Sequence, residues 1–286
     1  MAKILVLHTG GTIGMVSGPD GLMPAAGIVE GALERIKRNG TEIEVRTFEP
    51  LVDSAEIGPR HWNIIIDAVA AFEGAGVIVT HGTDTMSFSG AALAQALAGI
   101  GVPIVLCGAM HPLNTGGDAE GNLALALDIA LGGRPGVWLA FAGRVLPAGG
   151  LVKHHSQQAD AFRSIQQSQP AVPFRPLRFQ DRQLAILTLS PGLSAPAVAA
   201  MLAELDGAVL RVFGAGTIMS DPVLESVLRA AVARGCRIRA VSQCESGGLL
   251  PGSYAAGAAL WRAGCENGGE ETPEAALIRL WLDLSR

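Results

Sequence analysis

No apolar run in this 286-residue chain reaches the ~18 residues that a membrane-spanning helix requires. Charge is also scarce: Asp, Glu, Lys and Arg make up 16% of the residues and balance at −5. There is no basic block and no interleaving of aromatic and basic residues, which argues against a nucleic-acid partner. Cysteine is limited to Cys107, Cys236, Cys244 and Cys265, without the C-x-x-C spacing of a metal site. Four scattered cysteines of this kind are expected to be free thiols in a reducing compartment. Met1-Ala2-Lys3 runs straight into an apolar strand, without the long apolar region of a signal peptide. The expectation is a cytoplasmic protein that engages neither membrane nor nucleic acid.

What the chain does contain is apolar residues, at 49%, and 37 glycines. Broken into short runs, they read as buried parallel strands with helices packed through small residues. Strand-like and helix-like segments alternate up to about residue 140. Strands are expected at 3–8, 42–47, 77–80, 103–106 and 137–141, and helices at 28–38, 59–72, 88–98 and 122–131. A long Gly/Pro-containing loop is expected over 9–27. This βα alternation implies an α/β fold: a larger N-terminal domain with a mostly parallel sheet and helices on both faces. The segments 145–147 and 151–153, flanking Gly149-Gly150, suggest a hairpin. Residues 166–182 lack helical periodicity and read as a linker between domains 1–165 and 183–286. The second domain is a smaller α/β unit, with strands at 184–189, 208–213 and 238–241. Its helices are expected at 196–204, 222–234, 254–263 and 273–284.

Two threonine-bearing turns follow strands: Thr9-Gly10-Gly11-Thr12-Ile13-Gly14 and His81-Gly82-Thr83-Asp84-Thr85-Met86. Both fall at the carboxyl edge of the sheet, where open α/β sheets bind ligands. A threonine hydroxyl becomes a nucleophile when a neighbouring base activates it. The first segment lacks the spacing of a phosphate loop or a dinucleotide fingerprint, and by itself it reads equally as a tight turn. Asp84 either caps the following helix or holds a substrate ammonium. His81 reads as a packing or orienting residue rather than a metal ligand. Lys153 is by default a solvated surface group, but partial desolvation would make it a base. His154 and His155, adjacent on a strand, point to opposite faces and make a poor metal pair. Asp53-Ser54 is either an ordinary turn or cap, or a segment at the same sheet edge whose hydroxyl binds a carboxylate.

Taken together, these segments resemble the bacterial-type asparaginase/glutaminase family, the threonine amidohydrolases, over nearly the whole chain. The two threonine signatures carry the resemblance. Gly108-Ala109-Met110-His111-Pro112, Asp118-Ala119-Glu120-Gly121-Asn122-Leu123, Gly143-Arg144-Val145-Leu146 with Lys153 in register, and Phe213-Gly214-Ala215-Gly216 extend it. So does Gly268-Gly269 through Thr272-Pro273-Glu274-Ala275-Ala276-Leu277. The resemblance implies hydrolysis of L-asparagine to L-aspartate and ammonia through a threonine acyl-enzyme, with no cofactor and no metal. Thr12 would be the nucleophile, and Thr83, Asp84 and Lys153 an internal triad with Lys153 as base. Substrate would be bound by Gly11, Asp53, Ser54, Gly82, Thr83, Asp84 and Ala109. Ser54 would hold the α-carboxylate, Asp84 the α-amino group, and main-chain N–H groups near Thr12 and Thr83 the oxyanion. A homodimer or homotetramer is implied, with Glu270 or Glu271 of a neighbour closing the site or, on the other reading, supplying charge before the helix at Pro273.

The sequence departs from the family pattern twice. Leu22 stands where a mobile-loop tyrosine is expected, and the one tyrosine of the chain is Tyr254. Ala55 follows Ser54 where a polar residue is usual. These departures leave two alternatives beside asparagine hydrolysis. One is the same chemistry on glutamine, a D-amino acid or a substituted asparagine. The other is a protein that binds an amino acid without turning it over.

Overall fold

Runs of branched apolar residues bounded by Gly and Pro become the strands of the first sheet. The computed structural model describes residues 1–19, 21–167 and 172–286, and the chain forms two units, Met1–Arg178 and Phe179–Arg286. In the first unit the order is β1 Ala2–His8, β2 Met15–Gly18, β3 Gly21–Pro24, α1 Ile28–Ile36, β4 Thr41–Thr47, α2 Pro59–Ala70, β5 Gly76–Thr80 and α3 Met86–Ala96. It continues with β6 Pro103–Cys107, α4 Ala119–Gly132, β7 Gly136–Phe141, β8 Arg144–Pro147, β9 Leu151–Lys153 and β10 Phe162–Ser164. The main sheet runs β4-β1-β5-β6-β7-β8. All its pairings are parallel except that of β8 with β7.

Residues of alternate parity in the strands face opposite sides of the sheet. Ile4, Val6, Ile78 and Val105 share one buried cluster with Val29 and Leu33 of α1 and Leu123 and Leu127 of α4. Leu5, Leu7, Val77 and Val79 are buried as well, and α3 packs against β7 and α2. Coverage of both faces is why these strands read as unbroken apolar runs. From β1 the chain moves outward to β4 and then crosses back to β5 on the other side of β1. That reversal opens a crevice at the carboxyl ends of β1 and β5, the point where such sheets bind ligands.

Two local expectations are corrected. The segments flanking Gly149-Gly150 do not pair with each other: β8 pairs with β7, and β9 pairs with β10. The hairpin turn lies earlier, at Ala142-Gly143, where both residues have positive φ (49° and 69°), the two-residue geometry that matches strand twist. Gly149-Gly150 instead form a 3-10 turn, where a Cβ on Gly150 would run into the Ile165 carbonyl. The expected loop over 9–27 contains the antiparallel ribbon β2–β3, with Ser17 opposite Leu22. Its four-residue strands are too short for alternation to register.

The second unit contains β11 Leu184–Thr188, α5 Ala195–Ala203, β12 Gly207–Val212, α6 Pro222–Ala233, β13 Arg237–Ser242, α7 Ala258–Arg262, β14 Glu266–Asn267 and α8 Pro273–Leu284. Its sheet is parallel, in the order β11-β12-β13-β14. Three helices start on a side-chain cap with Pro in the first turn, from Ser194, Asp221 and Thr272. This combination makes helix starts legible in sequence. The helix expected over 254–263 is a 3-10 turn at Ala255–Gly257 followed by α7.

The expected linker, 166–182, includes residues 168–171, which lie outside the described residues. Farther along it the backbone is tied down. Leu177 N–H donates to Ala96 and Arg178 pairs with Asp67 in the first unit, while Gln180 and Arg182 bond Ser285 and Leu284 in the second. Among the described residues no helix is long and apolar enough to cross a membrane.

Candidate active site

Three glycines allow separate loops to meet backbone to backbone at the crevice. Gly10 and Gly11 follow β1 with φ of 133° and 89°. A Cβ on Gly10 would collide with the Val52 carbonyl, and one on Gly11 would lie 2.5 Å from the Gly82 nitrogen. A Cβ on Gly82 would lie 2.6 Å from Ser54 Oγ. The loops after β1, β4 and β5 therefore converge, bringing Thr12, Ser54 and Thr83 to one place. Thr12 opens a 3-10 turn whose next residues, Ile13 and Gly14, are buried, so the turn is anchored while the Thr12 side chain stays partly accessible.

The end of β1 is pinned on both sides. Thr9 Oγ1 donates to the Thr80 carbonyl at 2.7 Å, and the Thr9 carbonyl accepts from Val52 N–H at 2.8 Å. Thr9 is thus consumed by structure, which leaves Thr12 as the available hydroxyl of the first segment. In the second, Thr85 Oγ1 donates to the Ser54 carbonyl at 2.6 Å and fastens the Ser54 loop. Lys153, at the end of β9, donates to Thr83 Oγ1 at 2.8 Å and to Asp84 Oδ1 at 2.6 Å. The lysine side chain is 16% exposed and that of Asp84 is 75% exposed. The ammonium is thus sheltered, while the carboxylate keeps an open side. Across the β9–β10 pair, Phe162 stands opposite Lys153 and packs edge-on against Phe141, with ring centroids 5.0 Å apart. That aromatic contact sets the position of the strand bearing the lysine.

His81 is fully buried, with Nδ1 2.6 Å from the Gly82 carbonyl and Nε2 2.7 Å from Ser89 Oγ. Burial pushes its pKa down to about 4, so the ring is neutral in the folded protein near pH 7. An unfolded chain takes up this proton near pH 6.5, whereas the folded one resists until about pH 4. Stability contributed by the neutral ring is therefore fully present above pH 6.5 and is lost as pH falls toward 4, by about 3 kcal/mol. His8, also buried, is shifted in the same direction by desolvation. Urea unfolding at pH 7 and pH 4.5 should show this loss, and a smaller one in His81→Asn. Equal losses in the two proteins would refute the assignment.

The N-terminal domain model of the asparaginases matches residues 3–177, and the glutaminase/asparaginase C-terminal domain model matches residues 183–286. The chain belongs to the asparaginase family. L-asparaginase 1 of Escherichia coli (strain K12) is 30% identical, over 99% of this chain and 92% of that one. The L-asparaginase of Thermococcus kodakarensis is 33% identical, over 97% and 91%. The solved structure of the thermostable L-asparaginase from T. kodakarensis superimposes with a TM-score of 0.88 at 32% identity, covering 99% of this chain and 93% of that one. L-asparaginase I from Vibrio cholerae O1 gives 0.89 at 27% identity, covering 100% and 93%.

Within this asparaginase fold the other residues singled out in the sequence fall as follows. Ser54 is buried beside Gly82. The Asp53 carboxylate accepts from Ala55 N–H at 2.8 Å and caps the short turn that carries Ser54. The Ala109 side chain is buried in the core, which leaves its main chain for any ligand. Leu22 lies on β3, 48% exposed. His155 Nδ1 accepts from the N–H groups of Gln157 and Gln158, so that ring is used by its own loop. Glu271 is held by Arg239 at 2.6 Å and also by Arg279. Sequence reasoning missed the supports. The Asp118 carboxylate accepts from Met110 and His111 N–H groups. Asn122 bonds the Gly108 carbonyl and the Ala142 N–H, fixing the loop around Ala109.

Gly11→Ala is expected to destabilise the protein by about 3 kcal/mol, from a positive-φ alanine together with a backbone overlap. Gly31→Ala serves as the contrast. Gly31 sits in α1 with its nearest non-neighbour atom at 3.7 Å, so the change should stabilise by about 0.5–1 kcal/mol. Thermal unfolding of the two variants checks both signs.

Proposed function

We propose that this protein hydrolyses L-asparagine to L-aspartate and ammonia, with Thr12 as nucleophile. The observation that carries the reading is the bond from Lys153 to both Thr83 and Asp84, beside the loop that bears Thr12. Family membership supports the amide substrate class, and relatives named L-asparaginase support asparagine. Thr12 Oγ attacks the side-chain amide carbon, and its proton passes through the Thr83 hydroxyl to Lys153, which serves as base once its ammonium has given a proton to solvent. The amide oxygen becomes an oxyanion facing the N–H groups of Thr12 and Thr83. Among the described residues, neither of these groups donates to a backbone carbonyl. Collapse of the intermediate breaks the C–N bond, and the departing nitrogen takes the proton back from Lys153 through Thr83 and leaves as ammonia. Water then attacks the threonine ester and releases aspartate. Asp84, with its open side, holds the α-ammonium, and buried Ser54 the α-carboxylate. No step requires a metal or cofactor.

Ammonia release from asparagine by the purified protein tests the reading; absence of release at millimolar substrate would overturn it. A second reading, favoured by Leu22, is the same chemistry on glutamine, a D-amino acid or a substituted asparagine. Leu22 carries no hydroxyl to bond the nucleophile, which loosens the tie to the family's usual substrate. Higher kcat/KM for any of these amides than for asparagine would establish it. A cytoplasmic setting is supported by four unpaired cysteines, three of them buried. Assembly as a homodimer or homotetramer is supported by exposed apolar side chains of the second unit, Val223 and Leu250 among them. Sedimentation velocity decides between these states and a monomer.

A further inference from the structure

A chain of buried hydrogen bonds that the mechanism above does not use ends on the peptide next to Thr83. Trp62 Nε1 donates to Ser89 Oγ at 2.9 Å. Ser89 Oγ lies 2.7 Å from His81 Nε2, and His81 Nδ1 lies 2.6 Å from the Gly82 carbonyl oxygen. All three side chains are buried, at 3% exposure or less. The direction of every proton follows from the chemistry of the groups. An indole N–H can only donate, so Ser89 accepts from Trp62. A carbonyl can only accept, so His81 Nδ1 carries the ring proton and donates to Gly82. Nε2 is then the bare nitrogen, and it receives the Ser89 hydroxyl proton. One tautomer satisfies the whole chain.

The end point gives this relay a consequence for chemistry. In a trans peptide the carbonyl and the following N–H point in opposite directions within one plane. Holding the Gly82 carbonyl therefore aims the Thr83 N–H. Among the described residues that N–H donates to no backbone carbonyl. The Gly82 nitrogen abuts Gly11, the residue before Thr12, so the clamped segment stands beside the loop that bears the nucleophile. Glycine at position 82 gives this peptide freedom that a substituted residue would restrict, and an outside clamp supplies the missing rigidity.

We propose that Trp62, Ser89 and His81 form a positioning relay that clamps the Gly82–Thr83 peptide with the Thr83 N–H directed at the oxyanion. The inference rests on the amide-hydrolysis reading. An oxyanion donor acts only where charge develops, so its misplacement lowers kcat and leaves ground-state binding largely intact. Three variants separate the clamp from general packing. Ser89→Ala releases the tautomer choice. His81→Leu removes both ring hydrogen bonds. His81→Asn keeps an N–H donor near the Nδ1 position.

Steady-state ammonia release and calorimetric binding of aspartate should be measured on all three, with melting temperatures alongside. The expected result is a fall in kcat of about 10²-fold for His81→Leu and about 10-fold for Ser89→Ala, scaled from the loss of one oxyanion donor. His81→Asn should recover to within about fivefold of the parent, with KM and aspartate affinity changed less than about threefold in all variants. Unchanged kcat in both Ser89→Ala and His81→Leu, or His81→Asn as impaired as His81→Leu, would overturn the relay. Long-range ¹H–¹⁵N spectra of the unsubstituted protein give a readout independent of turnover. A His81 Nδ1–H tautomer supports the clamp and an Nε2–H tautomer refutes it, even if no amide on the panel is hydrolysed and the functional reading alone fails.

Discussion

Thr12→Ala is expected to lower kcat for asparagine by about 10⁴-fold or more, the scale of removing a covalent nucleophile, with little change in melting temperature. Both halves of this expectation come from the turn that carries the residue. Gly11 caps it with φ 89°, and Ile13 and Gly14 are buried beneath it, so the backbone holds its shape without the threonine hydroxyl. Thr12 itself is only partly buried, and its truncation opens no core cavity. Thr12→Ser keeps a hydroxyl and should retain measurable turnover. Ammonia release by Thr12→Ala above a tenth of the parent rate would remove Thr12 from the role. Thr9 would then not be the replacement, because its hydroxyl is committed to the Thr80 carbonyl.

Lys153→Met and Lys153→Arg should each lower kcat by about 10³-fold, the range of a general base. The pair separates two roles for the lysine. Methionine fills similar space and removes the charge. Arginine keeps the charge and the ability to donate to Thr83 and Asp84, but it cannot give up a proton near neutrality. If Lys153 served only to hold Asp84 and Thr83 in place, arginine would restore much of the rate. If it accepts the nucleophile's proton, arginine is as impaired as methionine. KM should move less than kcat, because Asp84 remains open to the substrate ammonium, with a side chain 75% exposed. Lys153→Arg above a tenth of the parent kcat would sink the base assignment.

Much of the first sheet was legible from the chain because its strands are buried on both faces and stand out as short apolar runs. The helices of the second unit that begin at Asp221 and Thr272 were legible for a different reason: a capping side chain and a following proline announce their starts. The ribbon β2–β3 was not, since four-residue strands carry too little alternation to distinguish from a loop. The hairpin was misplaced because Gly149-Gly150 reads as a turn, whereas the operative turn, Ala142-Gly143, includes an alanine at φ 49° that propensity disfavours. Tertiary pairing of β8 with β7 overrode local preference there.

At the candidate site, sequence by itself singled out the two threonine segments and Lys153, because hydroxyls, a carboxylate and a lysine at strand ends have few structural uses in such density. It did not reveal that Thr9 is bound to Thr80, which of its two readings Asp53 follows, or that Trp62 and Ser89 determine the tautomer of His81. These facts depend on neighbours up to 71 residues away along the chain. The amino-acid order determined which groups are present at the carboxyl edge of the sheet. The packing of β1 beside β5, and the glycine contacts that let their loops touch, decided which of those groups remain free to react. A hydroxyl with a backbone partner is spent, and only folding assigns the partners.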